Sequence, residues 1–291
     1  MEDAGRQLLQ TLVSGLLLGG VYALPAVGLS LIWGVMKVVN IAHGVLALLG
    51  SYLALTAFQG LGLDPLVALV AVVPAFFVLG LLLQRALVQP LEQAPEMSTL
   101  LALFGATIIL ENLIQRVWTA DFRALSPWYA GVAVELGPVN LSIARALTCV
   151  LSLAAVLLLD QFLRRTYLGK AIRATAQNRA AARLMGINTG HMALLAFGIG
   201  TALAGIAGVA LSLIYSFYPT VHIFWVVKAF LIVVLGGVGN IRGTLVAALL
   251  LGLAESLFGA FLSFRWVDFS VYVLLLLILL VRPQGLYGRY A

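Results

Sequence analysis

Seven residues with polar or ionisable side chains lie in or beside long apolar runs, and they are the residues of this chain best placed to do chemistry. A polar group inside a membrane is costly, so it usually belongs to a solute pathway, a proton relay or an interhelical contact. We therefore take the seven as candidates for lining a pathway through a membrane. They are Asn40, His43, Glu111, Asn112, Lys228, Asn240 and Glu255.

Two interpretations of the charged candidates stay open. Glu111 and Gln115 are four residues apart and share a helical face, with Asn112 beside them. We expect this face to point at the interior of a helix bundle or at a water-filled path. Glu111, Lys228 and Glu255 could carry protons in an ion-coupled carrier. They could equally form a hydrogen bond or a Glu–Lys pair that only holds the bundle together.

Other kinds of chemistry lack the residues that they need. The three histidines, His43, His191 and His222, are scattered, without the four-residue spacing of a helical zinc site. A single cysteine, Cys149, excludes an internal disulfide. The glycine-rich stretch 236–244 lacks the Lys-Ser/Thr end of a phosphate-binding P-loop, so we expect a tight turn there. We expect no catalytic residue, no metal site and no cofactor bound by this chain.

The candidates are carried by a chain that is too apolar to be a soluble domain. Of its 291 residues, 63% are hydrophobic and 10% are charged, against about 25% charged in a typical soluble domain. Nine apolar runs approach the roughly 20 residues that cross a bilayer as a helix. We predict an all-α polytopic membrane protein with eight or nine transmembrane helices, folded as a single domain over residues 1–291. The runs are Leu8–Leu31, Ile41–Phe58, Pro65–Val88, Thr99–Trp118, Leu141–Leu163, Met192–Tyr215, Phe224–Gly237, Thr244–Ser263 and Val267–Leu280.

A basic segment, residues 164–191, separates the fifth and sixth runs. It holds six of the 17 Lys and Arg residues and no Asp or Glu. Short loops rich in Lys and Arg are retained in the cytoplasm, so this segment is predicted to be cytoplasmic. Nine crossings then place the N-terminus outside and the C-terminus inside, and we favour nine. The seventh run is short and flanked by glycine, so a re-entrant segment and eight crossings stay open.

The net charge of +6 follows from the same clustering. Basic residues at predicted inner loops orient the chain and contact anionic lipid headgroups, so nucleic acid is not an expected partner. Two short stretches, Asn40–Gly44 and Asn240–Gly243, each follow one apolar run and precede another. Repeats with broken helices are common in transporters, although two short matches also arise by chance in a chain with 29 glycines.

Four stretches of the chain carry a resemblance to a known family. They are GLSLIWGVMKVVNIAHGVLALLGSY (Gly28–Tyr52), TYLGKAIRATAQNRAAARLMGIN (Thr166–Asn188), VKAFLIVVLGGVGNIRGTLVAALLLGLAES (Val227–Ser256) and RPQGLYG (Arg282–Gly288). In this order and spacing, over nearly the whole chain, they resemble the permeases of branched-chain amino-acid ABC importers. The chain is most similar to the shorter, first permease subunit, and the resemblance implies a type II-like permease fold.

The resemblance also implies a coupling loop over residues 164–191. ABC importers carry a Glu-Ala-Ala-x-x-x-Gly motif that contacts the ATPase, and Ala181, Ala182 and Gly186 match it, whereas Ala180 replaces the glutamate. Arg179 or Arg183 could supply the missing polar contact. A basic loop that lies on lipid headgroups is the alternative. The coupling candidates are Gly169, Arg173, Arg179, Ala181, Ala182, Arg183 and Gly186.

The assembly implied by the resemblance imports a solute across the bacterial inner membrane by alternating access. Its other members would be a second related permease, two ATPase subunits that use ATP, and a substrate-binding protein outside, all with membrane lipid around the permeases. Similar permeases move urea, short amides or other amino acids, so these substrates stay open. From the charged candidates, an ion-coupled secondary transporter stays open too.

Overall fold

The computed structural model describes residues 2–261, 266–282 and 285–287, which form eleven α-helices and one β-hairpin. A π-helical turn, Gln84–Val88, and a 3-10 turn, Gln89–Leu91, extend the third helix, and a 3-10 turn, Pro219–Val221, precedes the ninth. The helices are α1 Glu2–Met36, α2 His43–Leu61, α3 Pro65–Leu83, α4 Glu96–Trp118, α5 Ile143–Arg165, α6 Tyr167–Gln177, α7 Arg179–Leu184, α8 Thr189–Ser212, α9 His222–Gly236, α10 Ile241–Phe261 and α11 Val267–Val281.

Eight of these helices, with the short turns that extend them, are long and apolar enough to cross a membrane. They are α1, α2, α3, α4, α5, α8, α9 and α10. The predicted all-α polytopic architecture is therefore confirmed. The seventh helical segment is longer than the predicted run, because the turn Pro219–Val221 extends α9 to a span of 18 residues.

The ninth crossing stays a prediction. Helix α11 is apolar but only 15 residues long, and about 20 residues are needed to span a bilayer upright. Parts of two predicted segments cannot be compared with the structure. Ser263, the end of the eighth run, and Pro283, Gln284 and Gly288 of the RPQGLYG stretch lie outside the described residues.

The connection between α4 and α5 contains an element that was not predicted. Strands β1 (Ala133–Leu136) and β2 (Val139–Ser142) pair antiparallel, and Gly137, with φ +62°, allows the turn between them. The fifth run therefore becomes helical at Ile143, two residues later than predicted.

Helices α1 and α8 form the centre of the bundle. Both are buried over most of their length, whereas α3 and α4 expose most of theirs. Small residues permit this burial by letting helix backbones approach closely. A Cβ on Gly252 of α10 would lie against the backbone of Gly19 in α1, and one on Gly205 of α8 would meet Phe76 of α3. The small residues of α8 thus allow close helix packing.

Two groups of loops lie at opposite ends of the bundle. At what we call the basic end, Arg179 of α7 pairs with Glu92 at 2.9 Å and Arg242 pairs with Asp160 of α5 at 3.4 Å. At the opposite end, the backbone of Arg123 pairs with that of Phe217, and the Tyr129 hydroxyl donates to the Asp64 carboxylate at 3.1 Å. Burial, with the Asp64 charge adding to it, raises the pKa of Tyr129, so its proton stays in place to make this bond.

Candidate functional site

Lys228 and Glu255 meet inside the bundle in a four-residue polar cluster. The Lys228 Nζ donates to Glu255 Oε1 at 2.9 Å, and the Tyr22 hydroxyl donates to the same oxygen at 3.2 Å. The Tyr215 hydroxyl lies 3.2 Å from that of Tyr22. The cluster therefore joins α1, α9, α10 and the residues that follow α8. We call these four residues the Lys–Glu cluster.

The Lys–Glu cluster holds two opposite charges in a place that water barely reaches. The side chains of Lys228 and Glu255 are only 16% and 14% exposed, and Glu255 Oε2 is buried without a hydrogen bond in the described part of the chain. Beside Tyr22 and Lys228 lies a void of only about 10 Å³, too small for a solute. The bundle is thus closed at this point, and a solute could reach the pair only after the helices move.

Glu111 has a different partner, His222. The His222 Nε2 donates to Glu111 Oε2 at 3.1 Å, and Gln115 donates to the other oxygen at 3.3 Å. His222 is almost fully buried, so Glu111 faces the interior as expected. Asn112 is exposed, and its amide donates to the Ile108 carbonyl at 2.8 Å. Successive helical residues point about 100° apart, so Asn112 does not share the surroundings of Glu111, and its place on a pathway stays a prediction.

His43 shows that α2 begins deep inside the bundle. Its Nε2 donates to the carbonyl of Pro25 at 2.9 Å, and Pro25 precedes the end of α1 at Met36 by a rise of roughly 16 Å. Residues 37–42, which are not helical, therefore run back into the bundle before α2 starts. Irregular backbone at membrane depth occurs only where protein buries it or where it lines a water-filled cavity.

Asn40 lies in this non-helical stretch with its side chain fully buried. Both of its side-chain polar atoms and the Nδ1 of His43 make no hydrogen bond among the described residues. Buried polar atoms are nearly always paired, and leaving one unpaired costs about 1–3 kcal/mol. Broken helices with free polar groups near the middle of the membrane are where transporters bind their substrates. Among the candidates, Asn40 and His43 therefore have polar atoms that no hydrogen bond within the described residues accounts for.

Asn240 differs from Asn40 in spite of the similar sequence around it. Its Oδ1 accepts from the Gly243 amide at 3.0 Å in the first turn of α10, so it stabilises a helix start. The α2 start has no such side chain, since the residue before it is Ala42 and makes no side-chain cap. The two stretches thus have different local structures, and Asn240 lies at the basic end beside the predicted tight turn. That turn is confirmed by positive φ angles at Gly237 and Gly239.

The predicted coupling loop folds as two short helices, each begun by a capping side chain. Thr166 Oγ1 accepts from the Gly169 amide at 3.0 Å to start α6, and Asn178 Oδ1 accepts from Ala181 at 2.9 Å to start α7. After α7, Gly186 has φ +79°, which only glycine adopts readily. Gly186 therefore lies just beyond the end of α7, in a conformation that does not continue the helix.

Several coupling candidates make contacts within the chain. Arg179 pairs with Glu92, and the Arg183 Nε donates to Thr189 Oγ1 at 2.9 Å. These bonds attach α7 to the loop before α4 and to the start of α8. Gly169 packs directly on the backbone of α5 at Phe162. Ala182 is buried, Ala181 is exposed, and Arg173 lies on the wall of a cavity.

The most exposed large hydrophobic residues of this region were not among the candidates. Leu184, Met185 and Tyr167 are 88%, 82% and 80% exposed. An apolar side chain held at a polar end of the bundle is typical of a contact surface for another protein. Their apolar character within a basic segment was the available signal. Tyr22 and Tyr215 were missed because only tertiary packing brings them to Lys228.

Comparison with known proteins finds a family model and relatives that match nearly the whole chain. A family model described as "Branched-chain amino acid transport system / permease component" matches residues 11–281. LivH of Salmonella typhimurium, a high-affinity branched-chain amino acid transport system permease protein, is 33% identical over 302 residues, covering 99% of this chain and 98% of LivH. BraD of Pseudomonas aeruginosa, named in the same way, is 33% identical over 294 residues, covering 97% and 96%.

A second kind of permease protein matches part of the chain. LivM of Escherichia coli K12 is 32% identical over 126 residues, which is 43% of this chain and 29% of LivM. No solved structure matches the chain.

Proposed function

This chain belongs to the family of permease components of branched-chain amino-acid transport systems, and we propose that it is the permease subunit of an ATP-driven importer. It would carry branched-chain or chemically related amino acids across the bacterial inner membrane. The substrate follows the names of the relatives, LivH and BraD. This chain would bind no cofactor itself and would leave ATP to separate subunits.

The orientation follows from the distribution of charge. The basic end carries α6 and α7 with the six basic residues of 164–191. Lys and Arg are retained on the cytoplasmic side, so the basic end would face the cytoplasm. The opposite end, with the hairpin and the loop that contains Tyr129, would receive a substrate-binding protein from outside.

The observation that carries the proposal is the exposed apolar surface of α7. Leu184 and Met185 project from a helix that is attached to the chain by the Arg179–Glu92 pair and the Arg183–Thr189 bond. A surface that is both apolar and firmly attached can transmit a force from a bound partner. We assign this surface to an ATPase subunit.

The second permease has support from the relatives. The chain resembles LivH and BraD over its full length and LivM over part of it. Two related permeases, each with its own α6–α7 pair, would bind two ATPase subunits. The translocation pathway would then form where the permeases and their inner helices separate.

The structure offers a physical route from α7 to the interior. Arg183 bonds to Thr189 at the start of α8, and α8 packs against α1 and α2 at the centre of the bundle. A movement of α7 would therefore reach the helices that hold the Lys–Glu cluster and the start of α2. ATP binding favours one of two conformations only if the ATPase contacts them differently. An amino-acid zwitterion carries both charges needed to exchange partners with Lys228 and Glu255.

A pull-down of the tagged chain from its native membrane in a gentle detergent tests the proposal. We expect two ATPase subunits and a second permease to co-purify. The Leu184→Asp variant should lose the ATPase subunits, because it puts a charge into the apolar contact. Leu61→Asp is the matched control, since Leu61 is 72% exposed at the opposite end, and it should retain them. A chain that purifies alone would favour an ion-coupled carrier in which Glu111, Lys228 and Glu255 carry the charge.

A further inference from the structure

A cavity of about 390 Å³ opens at the basic end, beneath the coupling helix α6. Its walls come from five places in the chain: the end of α1, the end of α5, one face of α6, the turn between α9 and α10, and Tyr287. The cavity is distinct from the Lys–Glu cluster and from the start of α2. Leu184 and Met185, the exposed apolar residues at the end of α7, do not line it.

The wall of the cavity is strongly positive. Four basic side chains line it, and the single carboxylate is that of Asp160. Asp160 is shared between Arg164, at 2.7 Å, and Arg242, at 3.4 Å. Lys37 and Arg173 make no ion pair with any described residue. One carboxylate therefore faces four cations, and two of the cations have no counter-charge among the described residues.

The backbone around the cavity is held in an unusual conformation. Lys37 has φ +60°, a left-handed angle that is uncommon for any residue other than glycine. The facing turn has positive φ at Gly237 and Gly239, and the backbone of Gly239 touches that of Gly34. These contacts fix the end of α1 against the α9–α10 turn and keep the Lys37 and Arg242 side chains on one cavity.

We propose that this cavity binds a phosphate-bearing anion, which bridges the coupling helix to the α9–α10 turn. Arginine suits such a ligand, because its planar fork of donors matches phosphate oxygens. Basic pockets between helix ends on the cytoplasmic side of membrane proteins hold anionic lipid headgroups in the same way. The ligand is either such a headgroup or a soluble phosphate compound. Two parts of this proposal rest on the proposed function: the side of the membrane on which the cavity opens, and the link to an ATPase contact. The binding of the anion itself does not.

The bridge would bear on the movement of the permease. Arg173 belongs to α6, whereas Arg242 and Lys37 belong to the ends of inner helices. An anion bound by all three would hold α6 to the ends of α1 and α10. A movement that an ATPase subunit imposes at α7 would then be passed on more fully to those helices. We therefore assign Arg173 to this cavity and not to the ATPase contact.

The test uses the purified complex in lipid nanodiscs and measures its thermal unfolding midpoint. One series replaces phosphatidylcholine by phosphatidylglycerol, and a second keeps phosphatidylcholine and titrates inorganic pyrophosphate. We expect the midpoint to rise in at least one series. A rise with the lipid alone identifies a headgroup, and a rise with pyrophosphate identifies a soluble ligand. High salt should weaken either response, because the charged wall is open to solvent.

Three variants assign the response to the cavity. Lys37→Gln with Arg173→Gln removes the two unpaired charges and should weaken anion binding roughly 25-fold, about fivefold for each charge near the surface. Lys170→Gln with Arg165→Gln removes two charges from the same segment outside the cavity wall, and binding should stay within about twofold because such charges are screened. Asp160→Asn removes the competing carboxylate and should tighten binding.

Three outcomes would overturn the proposal. The first is a midpoint that responds to neither anion. The second is equal weakening in the cavity variant and its control, which would reveal a general effect of charge. The third is that bound ATPase subunits protect a cysteine introduced into the cavity wall from modification while no anion binds. That result would assign the cavity to the ATPase subunit. The first two results are independent of whether the ATPase subunits co-purify, and the third is measured on a complex that contains them.

Discussion

At the scale of single residues, the Lys–Glu cluster has two possible roles that stability and transport separate. Removing one partner of a buried ion pair takes away the counter-charge that the other partner has at 2.9 Å, at a cost of about 3 kcal/mol. Lys228→Met and Glu255→Gln should therefore each lower the unfolding midpoint of the complex. The double variant Lys228→Met, Glu255→Leu should recover much of this loss, because it no longer leaves a buried carboxylate without Lys228. We propose that the pair lies on the pathway, and on that proposal amino-acid uptake should stay lost in the double variant.

The exposed pair Arg123–Asp121 is the control for this comparison. Its side chains are 35% and 71% exposed, and surface pairs contribute about 0–1 kcal/mol. Asp121→Asn should therefore barely move the midpoint. If uptake returns with stability in the Lys228 and Glu255 double variant, the pair only holds the bundle together, and Asn40 and His43 become the principal pathway candidates.

Sequence reasoning at this scale succeeded for charges and failed for their partners. Glu111, Lys228 and Glu255 stand out because charges are rare in apolar runs. Their partners do not, because His222 is 111 residues from Glu111 and Tyr215 is 193 residues from Tyr22. Helical periodicity relates residues three or four apart, whereas these contacts depend on how helices cross. The burial of Asn40 was equally invisible, since it depends on the re-entry of residues 37–42.

At the scale of elements, the close contact between α10 and α1 allows a direct test of the packing. Gly252 of α10 lies against the backbone of α1, and a Cβ there would overlap Gly15 and Gly19. Gly252→Leu should therefore separate the two helices and destabilise the complex by about 1–3 kcal/mol, the usual cost of overpacking. Gly105→Leu in α4 is the control, because nothing lies within 4 Å of a Cβ at Gly105. Equal midpoints for the two variants would contradict the contact.

Helix positions were predictable because each spanning helix must satisfy its own backbone in lipid. Long apolar runs therefore mark helices, and eight of them were found in order. Boundaries were less predictable where tertiary contacts decide them. The second run was placed at Ile41, yet α2 begins at His43, whose side chain bonds to α1. Strands β1 and β2 were missed because two four-residue strands carry almost no periodic signal.

At the scale of the whole molecule, the arrangement separates its functions along the membrane normal. The α6–α7 pair and the cavity lined by Lys37, Arg173 and Arg242 lie at the basic end. The Lys–Glu cluster and the start of α2 lie within the bundle, and the hairpin lies at the opposite end. Such a division suits a protein that receives a solute at one end and a mechanical input at the other. It requires that the basic end face the cytoplasm, as the positive charge predicts.

Labelling of single cysteines with a membrane-impermeant maleimide tests this orientation. In a Cys149→Ala background, cysteines replace Leu184, which is 88% exposed at the basic end, or Trp128, which is 80% exposed at the opposite end. In intact cells stripped of their outer membrane, we expect the Trp128→Cys chain to react and the Leu184→Cys chain to stay unlabelled. Labelling of the Leu184→Cys chain from outside would invert the topology.

The same two chains also report the docking of a partner. In opened vesicles both cysteines are accessible to the reagent, so any remaining protection comes from bound protein. The Leu184→Cys chain should stay protected while ATPase subunits are attached and become reactive when urea strips them from the membrane. The Trp128→Cys chain should react equally before and after stripping. Because α7 is attached through Arg179 and Arg183, protection confined to Leu184 would place the ATPase contact on the element that leads to α8.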